Sequence, residues 1–376
     1  MWTRRWIAAV TVAALALPVL AACGQATTTG SAGTPSGATP ADSATSGSAP
    51  IQIAETGSSL MYPLFNIWQP AFQKLHPNVQ VTTTATGSGT GIAQAISGLV
   101  QIGASDAYMA DAQVKQHPDV LNIPLVISAQ QINYNVPGLN GTHLKLDGAV
   151  VVGIYDGTIK YWDAAPVAAL NAGVTLPHLA IVPVRRADGS GDTFLFTQFL
   201  TATGGDAWKA TGFGTTVTWP AVAAEVASKG NQGVEQALKQ TKGSIGYLGI
   251  SWLETATKDG LDYAALQNKA GKFVLPAADT ITAAVQASVG STPPDERISL
   301  INAAGDNSYP IINFEYVLVN SHQPSAALAS TLTELLTWGL DPNGGAAKTF
   351  LDQVHFVALP AAVAALSRAQ IAKIKA

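Results

Sequence analysis

The feature that most constrains the fold is a unit of short apolar strand, small polar loop and amphipathic helix that recurs along the chain. Residues 51–54 alternate as a strand and lead through a loop at 57–59 into apolar positions at helical spacing. Residues 79–83 and the glycine loop at 87–91 repeat the unit. Because short buried strands that alternate with helices build sheets covered by helix layers, the pattern predicts an α/β fold.

Two further loops follow apolar strands, and both carry charged residues. Residues 101–104 end in Ser105 and Asp106, and residues 181–184 run into the polar stretch 185–192, after which helical spacing resumes. Three of the four loops therefore open directly into a helix, whose first N–H groups lack intrahelical partners and attract anions. Taken singly, a Ser or Gly in such a loop is an ordinary cap or turn residue. Their recurrence favours an anion site.

Composition excludes binding through a broad basic surface. Charged residues make up 12% of the 376 residues and the formal net charge is -4. No extended positive field is therefore present to attract nucleic acid or an anionic membrane, and an anion must be held by local donors. The residues beyond position 50 are too many for one compact core, which predicts two domains.

The first residues have the form of a lipoprotein signal peptide, residues 1–22. Arg4 and Arg5 precede an apolar run that is too short to span a bilayer comfortably and that stops at Cys23. Cys23 is the only cysteine, and its surroundings resemble the bacterial lipobox, in which the cysteine is acylated and anchors the protein. A chance cysteine in a transmembrane anchor is the alternative. Residues 23–50, rich in Gly, Ser, Thr, Ala and Pro, are expected to be the lipidated cysteine and a flexible tether.

The loops and the stretches around them resemble PstS, the periplasmic phosphate-binding family of bacterial ABC phosphate transporters. The resemblance runs from about residue 51 to near the C-terminus and is most specific at Arg-Arg-Ala-Asp-Gly-Ser-Gly, residues 185–191. The other matching stretches are residues 87–88, 102–106, 155–162, 229–231 and 243–247.

This resemblance implies a periplasmic-binding-protein-like fold of type II, in which two α/β lobes are joined by a strand hinge. Lobe I would comprise residues 51–132 and 308–376, and lobe II residues 133–307. The chain would bind inorganic phosphate with high affinity in the interlobe cleft and deliver it to ABC permease subunits with a cytoplasmic ATPase. We expect a lipid-anchored monomer on the extracytoplasmic face of the cell membrane, with no cofactor, no metal, no nucleic-acid partner and no enzymatic activity.

The resemblance also assigns site residues. The phosphate-binding groups would be the side chains of Ser59, Ser88, Asp106, Arg186 and Ser190 and the amides of Leu60 and Gly191, with Asp188 pairing the arginine and holding its fork in place. Asp192 departs from the family pattern, because many members have a threonine at this position whose hydroxyl donates to the anion. Asp192 either accepts a second ligand proton or caps the helix that begins near Thr193.

Asp106 and Arg186 have separate physical tasks in this prediction. Phosphate near neutral pH carries a proton, and the Asp106 carboxylate can accept it in a hydrogen bond. Sulfate carries none, so a sulfate oxygen and the Asp106 carboxylate would be two acceptors in contact with no hydrogen between them. The planar guanidinium of Arg186 suits bidentate contact with an oxyanion but neutralises it only in part. Dipolar donors must supply the rest.

Other functions remain open alternatives. Within the binding class, the competitor is another oxyanion such as sulfate or molybdate. A phosphate-ester hydrolase is less favoured because the sequence has no Gly-x-Ser-x-Gly elbow and no His-Glu-x-x-His, and its six histidines are scattered. An adhesive surface lipoprotein would leave the loops unexplained. The aromatic run near residues 309–316 could form a sugar platform, but residues 310–319 are better interpreted as a buried strand.

Overall fold

The computed structural model describes residues 50–376. The expected signal peptide, the lipidation site at Cys23 and all but the last residue of the expected tether lie outside the described residues. Within the described part, none of the helices has both the length and the apolar character that crossing a bilayer requires.

The described residues contain strands and helices in alternation. The strands are β1 (Ile51–Gly57), β2 (Val79–Ala85), β3 (Ile102–Ser105), β4 (Val120–Tyr134), β5 (Lys145–Leu146), β6 (Val182–Arg186), β7 (Val226–Ser228), β8 (Ser244–Gly249), β9 (Asp262–Tyr263), β10 (Ala265–Gln267), β11 (Phe273–Val274), β12 (Ile312–Asn320) and β13 (Val357–Ala358). The helices are α1 (Tyr62–Leu75), α2 (Ser88–Ser97), α3 (Asp111–Gln116), α4 (Gly148–Tyr155), α5 (Ala165–Leu170), α6 (Gly191–Thr203), α7 (Asp206–Lys209), α8 (Gly230–Gln240), α9 (Leu253–Lys258), α10 (Ala278–Ser288), α11 (Ala326–Gly339), α12 (Lys348–Leu351) and α13 (Ala361–Ile371).

Helix α1 shows how the apolar spacing sets a helix against the sheet. Leu64, Trp68 and Phe72 recur on one face and are all buried. The helix begins at Tyr62, after a turn in which the amides of Leu60 and Met61 donate to Ser58 Oγ at 3.1 and 2.9 Å. The apolar pattern that starts at Leu60 therefore includes one turn of chain that is not yet helical.

The main sheet joins two sets of parallel strands through an antiparallel pair. Its strand order is β2-β1-β3-β12-β4-β8-β6-β7. Strands β2 and β3 run parallel to β1, and β7 and β8 run parallel to β6, whereas β12 and β4 are antiparallel to each other and to their outer neighbours. Each parallel set is therefore a strand-helix-strand α/β layer of the predicted kind.

Strand β4 belongs to both halves of the sheet. Residues 120–129 pair with β12, and residues 130–134 pair with β8. The change of partner between Ala129 and Gln130 lies a few residues before the expected lobe boundary after residue 132, and the lobe boundaries themselves remain a prediction. All residues from 50 onward belong to one compact unit.

The cores confirm the interpretation of the aromatic run. Strand β12 is buried from Ile312 to Val319, so this run packs in the interior and offers no exposed sugar platform. A smaller apolar cluster attaches α8 to the second half of the sheet through Val184, Val234, Leu238 and Leu248.

Candidate functional site

Five loops meet at the carboxyl ends of parallel strands. The loops after β1, β2 and β3 come from one half of the sheet, and those after β6 and β7 come from the other. In open α/β sheets, ligands bind at this edge, because the loops there diverge and the helix N-termini point toward them.

Asp106 stands directly after β3 and is surrounded by serine hydroxyls. Ser58 Oγ donates to Asp106 Oδ1, and Ser88 Oγ, at the start of α2, donates to Asp106 Oδ2 at 3.3 Å. The Asp106 amide donates back to Ser88 Oγ at 3.2 Å. The residue is 2% exposed, and burial raises the pKa of its carboxyl above the ordinary value. The two serine hydroxyls support Asp106 as a buried hydrogen-bond acceptor, whereas burial works against its charge.

Arg186 ends β6 and binds two carboxylates with its guanidinium. Its Nε and Nη2 donate to the two oxygens of Asp188 at 2.8 and 2.5 Å, and its Nη1 donates to Asp192 Oδ2 at 2.7 Å. Burial disfavours its charge, but the hydrogen bond to Asp188 and the charge of Asp192 raise the pKa of Arg186 above its ordinary value. The same arginine leaves the pKa of Asp188 below the usual range in spite of burial. Arg186 is therefore a fixed cation.

Asn231, in the first turn of α8, connects the two sides of the site. Its backbone N and its Nδ2 donate to Ser59 Oγ at 3.0 and 2.9 Å, and its Nδ2 also donates to Asp192 Oδ2 at 2.7 Å. Gln130, where β4 changes partner, donates from Nε2 to Asp192 Oδ1 at 3.1 Å. Three elements therefore hold Asp192 in place.

Glycines let the loops approach each other closely. A β-carbon at Gly191 would overlap the Asp106 carboxylate, and one at Gly87, where φ is 92°, would overlap that of Asp188. The Gly89 amide donates to the Gly189 carbonyl at 2.9 Å. The first turns of α2 and α6 are thereby brought to the same group of side chains.

The cluster contains more acid than base. Asp106, Asp188 and Asp192 surround Arg186, the only cation among these four, so full ionisation would leave the cluster negative. Burial, together with the charge of Asp106, raises the pKa of Asp192 to about 7. An anion can join such a cluster only where protons remain on the acids or on the ligand. In the described part of the chain, no group of three or more His, Cys, Asp or Glu side chains is placed to hold a metal ion.

Comparisons with known proteins identify the family of this arrangement. A model of the PBP superfamily domain matches residues 42–343. Phosphate-binding protein PstS of Pasteurella multocida is 34% identical over 303 residues, which cover 80% of this chain and 85% of the relative. The PstS of Methanocaldococcus jannaschii is 34% identical over 310 residues, covering 77% and 78%. The chain belongs to the PstS family.

Solved structures support the fold expected for the PstS family. A high-affinity periplasmic phosphate-binding protein bound with phosphate aligns with a TM-score of 0.68 at 22% identity, over 85% of this chain and 93% of that one. A phosphate-binding protein from Stenotrophomonas maltophilia aligns with a TM-score of 0.65 at 20% identity and the same coverage. Identities this low show the shared fold alone, and the predicted two-lobe α/β fold is confirmed.

The structure places the site residues predicted from the PstS resemblance at four of the five loops, those after β1, β2, β3 and β6. These residues are Ser59, Leu60, Ser88, Asp106, Arg186, Asp188, Ser190, Gly191 and Asp192. The pairing predicted between Asp188 and Arg186 is present in the structure. The Leu60 amide, which was predicted to bind phosphate, donates to Ser58 Oγ in this structure.

The alternative in which Asp192 caps α6 and faces away is wrong. Ser190 is the N-cap, since its Oγ accepts from the Thr193 amide at 3.3 Å. Asp192 lies within the first turn of α6 and is turned toward Arg186 because that guanidinium binds its carboxylate.

Several residues of the site, Gln130 among them, carried no assigned role from the sequence. Ser58 was overlooked beside Ser59, although both follow the same strand. Asn231 lies in a stretch that resembles PstS, but its contacts depend on the tertiary arrangement of α8 and α6. Glu315, next to Asp106, had a usable signal, because an acid within an otherwise apolar strand run is rarely buried without a partner.

Proposed function

We propose that this chain binds inorganic phosphate with high affinity between its two lobes and delivers it to a membrane ABC importer. The observation that carries the proposal is that Asp106 and Arg186 are both buried and close enough for the charge of Arg186 to act on Asp106, a cation from one half of the sheet and a carboxylate from the other. The names of the PstS relatives and the family membership support the choice of phosphate.

The chemistry of the cluster explains why the ligand would be protonated. Arg186 supplies one positive charge, and the hydroxyls of Ser59 and Ser190 and the amide of Gly191 supply dipolar donors. The Ser88 hydroxyl donates to Asp106 in this structure and would have to turn to the ligand to serve as a further donor. The Asp106 carboxylate can accept only from a ligand oxygen that carries hydrogen. Phosphate and arsenate meet this condition near neutral pH, and sulfate leaves two acceptors opposed, a cost of about 1–3 kcal/mol or more.

The remaining parts of the proposal concern attachment and motion. Cys23 would carry the lipid that holds the monomer on the extracytoplasmic face of the cell membrane, with residues 24–50 as its tether. Lobe I would comprise residues 51–132 and 308–376 and lobe II residues 133–307. Closure of the lobes over the ligand would present a distinct shape to the permease subunits and their ATPase.

A hydrolase is not favoured by the geometry of the serines. Ser58 and Ser88 donate to the Asp106 carboxylate, and Ser190 caps a helix. None of these three hydroxyls is bonded to a histidine that could serve as a general base. We therefore propose binding without turnover.

The proposal is tested by calorimetric titration of the purified mature chain with phosphate, arsenate and sulfate. Phosphate should bind, arsenate should compete because it protonates in the same way, and sulfate should not compete. Absence of heat with millimolar phosphate would overturn the proposal, and tighter binding of sulfate would replace phosphate with another oxyanion.

A further inference from the structure

A buried carboxyl group lies directly behind Asp106. Glu315 stands in the middle of β12 between Phe314 and Tyr316 and is 0% exposed. An isolated ionised carboxylate in such surroundings is strongly disfavoured, so the group must be neutral or well supplied with donors.

The end of β3 brings Asp106 close to Glu315. Strand β12 runs antiparallel to β3 and the pairing ends with Tyr316 opposite Ser105, so Glu315 and Asp106 each lie one residue beyond the last paired position. Asn313 ties the two together, since its Nδ2 donates to the Asp106 carbonyl at 3.2 Å and to Glu315 Oε1 at 2.9 Å. The two carboxyl groups lie close enough for each to shift the pKa of the other.

The supply of donors to the two acids is unequal. Both oxygens of Asp106 accept from serine hydroxyls, and the charge of Arg186 further favours its ionised form. In Glu315, Oε1 accepts from Asn313 Nδ2 at 2.9 Å and lies 2.5 Å from Ser128 Oγ, whose single hydrogen can go either to it or to Asn313 Oδ1 at 2.7 Å. No donor among the described residues reaches Glu315 Oε2. A single proton shared between two adjacent carboxyl groups therefore belongs on Glu315 Oε2.

We propose that Glu315 is protonated and donates from Oε2 to the Asp106 carboxylate, so that Asp106 remains an ionised acceptor for the proton of the ligand. Glu315 is a positioning residue, since it acts through Asp106. Burial, followed by the charge of Asp106, raises the pKa of Glu315 well above its ordinary value, in agreement with this placement.

The charged groups around the pair favour the same assignment. Asp106 is the acid that faces Glu315 from the end of β3, while Ser128 on β4 and Asn313 on β12 are neutral. Beyond Asp106 lie Arg186 and Asp192, which act on Asp106 and on each other. Without a protonated Glu315, Asp106 would take up the proton itself and become a donor, which is the form that a fully ionised oxyanion prefers.

The position of the proton can be tested without any ligand. In infrared spectra at pH 6, the C=O stretch of a protonated carboxylic acid should be lost in Glu315→Gln relative to the unsubstituted chain. Glu55→Gln is the matched control, because Glu55 is a buried acid of the same sheet with a pKa raised to about 8 by burial. Its own acid band should also be lost. An unchanged acid band in Glu315→Gln beside a lost band in Glu55→Gln overturns the proposal.

The effect on selectivity rests on the proposed phosphate binding and is measured separately. Glu315→Gln keeps an N–H donor toward Asp106 and should keep the ratio of phosphate to sulfate affinity. Glu315→Leu removes the donor and should lower that ratio about tenfold, the equivalent of one lost buried hydrogen bond. Equal ratios in the two variants overturn the role in selectivity. If no variant binds phosphate but the infrared band is lost, the proposed function fails and the proton assignment stands.

Discussion

The two halves of the sheet contribute different chemistry to the site. The half that contains β1, β2 and β3 contributes Asp106 with the hydroxyls of Ser58 and Ser88, a set organised around a proton acceptor. The half that contains β6, β7 and β8 contributes Arg186 with Asp188, a set organised around a cation. In the proposed function, attraction of the anion and recognition of its proton would therefore be separate tasks of separate loops, and they should be separable by mutation.

The largest expected effect is on overall affinity, from the half that contains Arg186. Arg186→Met should weaken phosphate binding by more than about a hundredfold, because the anion would lose the guanidinium and the buried Asp192 would be left without its partner. Arg185→Met is the matched control. Arg185 pairs with Glu225 at 2.6 Å and reaches the site only through a 3.3 Å bond from its Nη1 to the Arg186 carbonyl, so its loss should change the affinity far less than the loss of Arg186. Calorimetry on both variants measures this, and equal affinities would remove Arg186 from the site.

The next effect is on selectivity, from the opposite half. Asp106→Asn should lower the ratio of phosphate to sulfate affinity by tenfold to about a hundredfold, because an amide can donate to an unprotonated oxygen. Arsenate is the control ligand, since it should lose affinity together with phosphate. Sulfate exclusion that persists in a competition assay would show that Asp106 is not the selective group.

A smaller effect concerns the pH dependence of phosphate affinity. It tests whether Asp192 acts with Arg186 in attracting the anion or with Asp106 in accepting its proton. Its pKa is raised to about 7, so it gains negative charge as the pH rises through that value. The phosphate affinity of the unsubstituted chain should weaken in that pH range by up to about tenfold per pH unit. The affinity of Asp192→Asn should weaken less. Parallel calorimetric pH profiles for the two proteins would contradict a role of Asp192 as a ligand proton acceptor.

The smallest effect is on stability, and it tests whether Glu55, a buried acid of the sheet, is independent of the acids of the site. Burial raises the pKa of Glu55 from 4.5 to about 8, so the folded state retains a proton that the unfolded chain releases. The stability contributed by that proton is lost as the pH rises from about 4.5 to 8.

Glu55→Gln should therefore reduce the pH slope of the unfolding free energy by up to about 1.4 kcal/mol per pH unit, as measured by denaturant titration. Phosphate affinity should not change. A change in affinity would mean that the two classes of acid are not independent.

Much of the fold could be predicted because its signals are local. Strands at residues 51–54, 79–83 and 101–104 and the buried strand at 310–319 follow from apolar pattern and turn residues that lie within a few positions of each other. The loops with Ser88 and Ser190 precede helices for the same reason. The sequence by itself therefore determined the α/β layers and the edge at which an anion could bind.

Only the tertiary structure decided which groups act on one another. Ser58 meets Asp106 across 48 positions, Asn231 meets Ser59 across 172, and Asn313 meets the Asp106 carbonyl across 207. Such contacts depend on strand order and register, and the Asn231–Ser59 contact also depends on β4, which pairs with strands of both half-sheets. The protonation of the buried acids depends on those same contacts, because burial and neighbouring charge are properties of the packed chain and cannot be assigned from the residues alone.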